Sequence, residues 1–177
     1  RKLGAHFTEE KGVKGVCFDL WAPNARRVFV IGTFNGWDEG AHEMKRLEPE
    51  TMGIYELFIP GLKEGDLYKY LIETNDGRRL YKADPYANYA ELRPGTASAV
   101  ADIDHFKWTD SKWMTARAAE EDVYAQPMAI YEVHPGSWKR HPGREDDGFY
   151  SYRELADSLI PYVKEMGYTH IELMGIS

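Results

Sequence analysis

The residues best able to carry acid–base or metal chemistry are badly spaced for it. His134 and His141 stand seven apart among Pro135, Gly136, Pro142 and Gly143, unlike the i, i+4 histidine pair of a helical zinc site. His170 falls in an apolar strand pattern and reads as a core histidine. Gly136-Ser137-Trp138 lacks the flanking residues of a nucleophile elbow, and the chain contains neither a P-loop nor a dinucleotide fingerprint. Glu145-Asp146-Asp147 lies in a glycine-flanked loop and reads as a solvated face. We therefore expect no catalytic residue, no metal ligand set and no cofactor.

Two other side chains could hold a ligand. Val28 to Trp37 reads Val-Phe-Val-Ile-Gly-Thr-Phe-Asn-Gly-Trp, an apolar run whose Gly32 and Asn35-Gly36 permit a tight turn. The turn delivers Trp37 to an edge, where its ring either stacks on something flat or caps its own core. Lys69 alternates with Tyr68 and Tyr70, so it points outward. There it either donates to the hydroxyls of a ligand beside Trp37 or serves as a solubilising surface charge.

The composition fits a neutral ligand. A net charge of −7 disfavours nucleic acid and anionic membranes, which are bound by basic patches. The 12 tyrosines and 5 tryptophans suit hydroxyl-rich ligands such as sugars, and equally suit a sandwich core. No apolar run approaches the roughly 20 residues of a spanning helix. Arg1-Lys2 is followed by no apolar stretch, so no signal peptide is expected and the cytoplasm is the default location. Cys17 is the only cysteine, which excludes an internal disulfide; it reads as a strand residue.

The positioning elements are mostly strands. Residues 16–22, 28–31, 54–59, 67–73 and 79–82 alternate or run apolar between turn signals, and 96–101 closes the set. Pro49-Glu50 ends a polar stretch, and Asn75-Asp76-Gly77 is a hairpin signal. Short strands at this spacing predict a mainly β fold, an antiparallel sandwich of immunoglobulin type over residues 12–102. Between 104 and 128 a connector follows, with Asp110 capping a short helix and Trp108 and Trp113 packing it against a neighbour. Residues 129–133 and 168–174 read as strands around a helix that opens on a Ser151/Glu154 capping box. Its apolar face carries Tyr152, Leu155, Ala156, Leu159, Ile160, Val163 and Met166. Pro161 bends it, and Gly167 suits its C′ position. Strand, helix and parallel strand make a right-handed βαβ unit.

Several blocks resemble known proteins. Phe18-Asp19-Leu20-Trp21-Ala22-Pro23-Asn24-Ala25, Gly32-Thr33-Phe34-Asn35-Gly36-Trp37, Leu67-Tyr68-Lys69-Tyr70, Lys82-Ala83-Asp84-Pro85-Tyr86 and Arg93-Pro94-Gly95-Thr96-Ala97-Ser98 resemble the family 48 carbohydrate-binding module of glycogen branching enzymes. Ile130-Tyr131-Glu132-Val133-His134, Gly136-Ser137-Trp138 and Tyr152-Arg153-Glu154-Leu155-Ala156, followed by Gly167 to Leu173, are similar to the first strand, helix and second strand of that enzyme's family 13 (β/α)8 barrel.

The resemblance implies three parts: a binding module over 1–103, a linker over 104–128, and a truncated barrel unit over 129–177. It implies a parent enzyme that cuts an α-1,4-glucan and rejoins it as an α-1,6 branch through two carboxyl groups. Those groups belong to later barrel strands, so this chain would be inactive. The implied partner is an α-1,4-glucan such as glycogen, amylose or a maltooligosaccharide. Exposed parallel strand edges leave room for an oligomer through 129–133 or 168–174.

By similarity to the glucan-binding module of the AMP-activated protein kinase β subunit, the implied ligand residues are Trp37 and Lys69, with Asn35 as a turn former and Thr96 and Ser98 on a polar rim. That module's second stacking Trp follows its Asp-Gly turn. Here Arg78, Arg79 and Leu80 follow Asp76-Gly77, which implies a single platform and weak binding. A free-standing glucan-binding regulatory module, a debranching or isoamylase-type enzyme, and an immunoglobulin-type interaction domain are the competing readings. The βαβ tail favours an enzyme over a lone module.

Overall fold

The computed structural model describes residues 3–47, 53–120, 122–143 and 148–176. Pro49-Glu50 and the acidic loop 145–147 lie outside them. The chain divides into two compact units, Arg1–Lys107 and Trp108–Ser177.

The first unit packs two antiparallel sheets face to face. One has the order β1 (Gly4–Glu10), β2 (Val13–Trp21), β5 (Ile54–Pro60), β4 (Lys45–Arg46). The other runs β3 (Ala25–Gly32), β6 (Leu67–Thr74), β9 (Ser98–Ala99), β8 (Tyr89–Ala90), with β7 (Arg79–Lys82) also paired to β6. Alternation makes the core: Val16, Phe18 and Leu20 of β2 meet Val28 and Val30 of β3 and Tyr68 and Tyr70 of β6. Each apolar side chain so buried contributes about 1.5–3 kcal/mol. β3 is covered on both faces, because Phe29 and Ile31 close over Leu71 on the outer side.

One buried polar knot ties β6 to the chain after β7. Asp84 Oδ2 accepts hydrogen bonds from the Tyr68 and Tyr70 hydroxyls at 2.7 and 3.1 Å, and its Oδ1 accepts the Tyr86 N–H at 2.8 Å. Ser98 Oγ accepts the Asp84 N–H at 2.8 Å. Burial, followed by the Asp84 charge, pushes both tyrosine hydroxyls far above their ordinary range.

The second unit pairs β10 (Ile130–Val133) in parallel with β11 (His170–Leu173). Among the described residues three α-helices accompany them: α1 (Ser111–Ala118), the single turn α2 (Pro135–Trp138) and α3 (Tyr152–Glu165). The capping box forms, since Ser151 Oγ accepts from the Glu154 N–H and Glu154 Oε2 accepts from the Ser151 N–H. At the other end the Tyr168 N–H returns to the Val163 carbonyl at 2.9 Å and the Gly167 N–H to that of Lys164 at 3.2 Å, a Schellman closure. Leu155, Leu159 and Val163 are buried against Val133. Tyr152, Ile160 and Met166 of the expected face are exposed.

Pro161 sits inside the helix on its exposed side, where it removes one backbone donor. Asp110 stands at the N-cap of α1 but its side chain accepts no bond there. Trp108 and Trp113, expected to pack, are 77 % and 59 % exposed.

Candidate functional site

The turn after β3 is built by Asn35. Gly32 donates its N–H to Asn35 Oδ1 at 2.9 Å, and Asn35 Nδ2 donates to the Val30 carbonyl at 3.2 Å. The Trp37 N–H closes the turn on the Gly32 carbonyl at 2.9 Å. A side chain at Gly32 would strike the Leu67 carbonyl. Gly36 and Trp37 both take left-handed backbone, with φ of 62° and 63°. For a residue with a Cβ that conformation costs roughly 1–2 kcal/mol. Trp37 so placed is 38 % exposed, at the edge of a groove.

The strand register supplies the rest. Lys69 pairs with Ile31, Leu71 with Phe29 and Tyr81, and Glu73 with Arg79. Side chains at these paired positions share the outer face of the sheet. β6 has β7 beside Tyr70–Glu73 and β9 beside Leu67–Tyr68, so Lys69 stands where its neighbour strand changes. Thr96 arrives in that gap, and Lys69 Nζ donates to its Oγ1 at 2.6 Å. Trp37, Glu39, Lys69, Tyr81, Glu91 and Thr96 line one groove of about 410 Å³ over Ile31.

A polar chain braces the groove. The Tyr81 hydroxyl donates to Glu39 Oε1 at 2.5 Å, and Arg79 donates to Glu39 at 2.6 Å and to Glu73 at 3.1 Å. The hydrogen bond to Glu39 is the main cause that raises the Tyr81 hydroxyl above its ordinary range, followed by burial. Glu91 accepts the Ala97 N–H at 3.1 Å, closing the loop that carries Thr96. The groove thus offers two aromatic rings, an ammonium, a hydroxyl and two carboxylates. Such a mixture suits the C–H face and hydroxyls of a neutral sugar.

Of the expected ligand residues, Trp37, Lys69 and Thr96 come together. Asn35 is spent inside its turn, and Ser98 is 1 % exposed and faces the Asp84 knot. Tyr81, Glu39 and Glu91 were not anticipated. Strand alternation from the Asp76-Gly77 turn could have found Tyr81; Glu39 and Glu91 sit in irregular segments that carry no periodic signal. Elsewhere in this unit Cys17, Asp19 and Glu56 bring a thiol and two carboxylates within 4.8 Å. The thiol lies 3.7 Å from Asp19 Oδ2 on its own strand and 3.8 Å from Glu56 Oε2 on β5, and its single proton is shared between them.

Residues 2–87 match the family described as carbohydrate-binding module 48 (isoamylase N-terminal domain). The chain is 60 % identical over 176 residues to a 1,4-alpha-glucan branching enzyme of Butyrivibrio fibrisolvens, covering 99 % of this chain and 27 % of that protein. The corresponding enzyme of Gloeobacter violaceus is 54 % identical over 175 residues, covering 99 % of this chain and 24 % of that protein. The chain therefore spans about a quarter of the length of these curated relatives. Among solved structures, a type I pullulanase from Bacillus subtilis str. 168 complexed with maltose superposes with a TM-score of 0.70 at 26 % identity, covering 100 % of this chain and 24 % of that one. A Paenibacillus barengoltzii pullulanase in complex with maltohexaose and α-cyclodextrin shares the fold, with a TM-score of 0.69 at 24 % identity over 98 % of this chain and 27 % of that one. Residues 2–87 accordingly match the carbohydrate-binding module 48 family, at the head of a chain that is similar along its whole length to the N-terminal quarter of bacterial 1,4-alpha-glucan branching enzymes.

Proposed function

We propose that the first unit binds α-1,4-glucan in the Trp37 groove and presents it to the remainder of a branching enzyme. The observation that carries this reading is the meeting of Trp37 and Tyr81 with the Lys69–Thr96 pair in one groove. Trp37 comes from the turn beyond β3 and Tyr81 from β7, strands that lie on opposite sides of β6. Two rings flanking one strand give a curved glucan two places to stack, one more than the resemblance implied. Lys69 donates to sugar hydroxyls, and Glu39 and Glu91 accept from them. The identity to proteins named as branching enzymes, 48–60 %, against 21–26 % to the pullulanases, favours branching over debranching.

Maltoheptaose titration followed by calorimetry or fluorescence tests the groove. Lys69→Met keeps the aliphatic stem and removes the charged donor, so binding is expected to weaken by roughly fivefold, about 1 kcal/mol. Unchanged affinity would remove Lys69 from the site.

The 177-residue chain itself should not transfer glucan. Retaining chemistry needs two carboxyl groups about 5–5.5 Å apart, placed at the C-terminal ends of barrel strands. In the second unit, Glu132 and Glu172 pair one residue before the ends of β10 and β11, inside the strands, and the residues that follow those ends, His134 and Met174, carry no carboxyl. An iodine–amylose absorbance assay should stay flat. A falling signal from the pure chain would place transferase chemistry within these residues.

A further inference from the structure

The second unit carries a cup that neither the module nor the βαβ packing uses. It has a volume of about 560 Å³ and is lined by Trp113, Ala116, Arg117 and Glu120 of α1 and its C-terminal extension, and by Thr169 and His170 at the start of β11. That volume lies within the range of small-ligand pockets. α1 buries none of its residues, and Trp113 is 59 % exposed at the rim of the cup. The ring is nevertheless held in place. Arg117, one turn further on, sets its guanidinium 5.3 Å from the ring centroid, a cation–π contact that fixes both side chains.

The opposite wall is equally fixed. Thr169 Oγ1 accepts the Ala129 N–H at 2.9 Å, donates to the Ala129 carbonyl at 3.0 Å, and lies 2.8 Å from His170 Nδ1. With the hydroxyl proton on that carbonyl, the imidazole donates from Nδ1. Its Nε2 is left as an acceptor.

We propose that this cup is a second α-glucan subsite, with Trp113 as its platform and Arg117, Glu120 and His170 as partners for sugar hydroxyls. Charges of both signs line it, and the chain carries −7 overall, which opposes an anionic ligand. A flat indole ringed by donors and acceptors matches a neutral pyranose. The choice of glucan as the sugar rests on the reading of the Trp37 groove.

The test follows the indole N–H signals of Trp37 and Trp113 and the ring protons of His170 by NMR during maltoheptaose titration, with assignments taken from Trp37→Ala and Trp113→Ala. The Trp113 and His170 signals are expected to shift in the parent chain and equally in Trp37→Ala. In Trp113→Ala the His170 response disappears while the Trp37 response remains, and Arg117→Ala weakens binding at the cup by about threefold. Because α1 buries nothing, Trp113→Ala should keep the parent circular dichroism spectrum. Movement of Trp37 with Trp113 and His170 still would overturn this proposal and leave the first groove standing. Movement of Trp113 with Trp37 still would do the reverse, and no movement at all would overturn both.

Discussion

Trp37→Ala should weaken maltoheptaose and amylopectin binding by roughly thirtyfold, about 2 kcal/mol, the loss typical of a central aromatic anchor. The ring is the largest apolar face on the groove, and its neighbours Glu39, Lys69 and Thr96 can satisfy sugar hydroxyls but cannot replace a stacking surface. Backbone strain allows a second, independent reading of the same position. Trp37 has φ of 63°, which costs a residue with a Cβ roughly 1–2 kcal/mol and glycine almost nothing. Trp37→Gly should therefore match Trp37→Ala in lost binding yet be the more stable of the two by roughly 0.5–1 kcal/mol, after the greater chain entropy of glycine is subtracted. Thermal melts and affinity gels on the three chains separate the two effects. Equal binding by parent and Trp37→Ala would remove the ring from the site, and equal stability of the two variants would remove the strain.

The largest stability effect is expected at Asp84. Replacement by alanine leaves the Tyr68 and Tyr70 hydroxyls without their acceptor in a buried place, at roughly 1–3 kcal/mol each, and frees the part-buried Tyr86 N–H. Part of this is recovered because the variant no longer buries a carboxylate. The net loss should be about 3 kcal/mol, which for a unit of this size lowers the melting midpoint by roughly 12–20 °C. Tyr68→Phe removes donor and hydroxyl together, leaves no orphan on the tyrosine side, and should cost only about 1 kcal/mol.

The same knot sets the alkaline limit. Both tyrosines titrate far above their unfolded value of about 10 in the folded chain. Their stabilisation is complete below pH 10; above it the unfolded chain releases protons that the folded chain keeps, and stability falls. Tyr68→Phe should flatten that fall. A melting midpoint for Asp84→Ala within about 3 °C of the parent would show that the knot contributes little.

The parts of the fold that the sequence made legible are those where one face is buried and the other is not. β5 and β6 lie close to their expected positions, because alternation between core and water leaves a period of two in the residues; β7, with no buried residue, is marked instead by the Asn75-Asp76-Gly77 turn before it. The capping box of α3 and the Gly167 closure were equally plain, since each satisfies backbone groups with residue types tied to fixed offsets. β1 left no such trace: its last four residues are all exposed, and it is held by backbone bonds to β2 that any sequence can make. The two-residue strands β4, β8 and β9 are too short to show a period at all.

For the site, the sequence by itself determined the turn that displays Trp37 and the outward direction of Lys69, since both follow from local geometry. Only the tertiary structure decided which other side chains share their groove. Tyr81, Glu39 and Glu91 come from separate segments and meet Lys69 through strand pairing and loop closure. Asn35 and Ser98 have residue types that suit a polar rim, yet backbone groups claim both of them first. A side-chain hydrogen bond forms wherever folding leaves a donor unsatisfied, and local sequence does not record which donors those are.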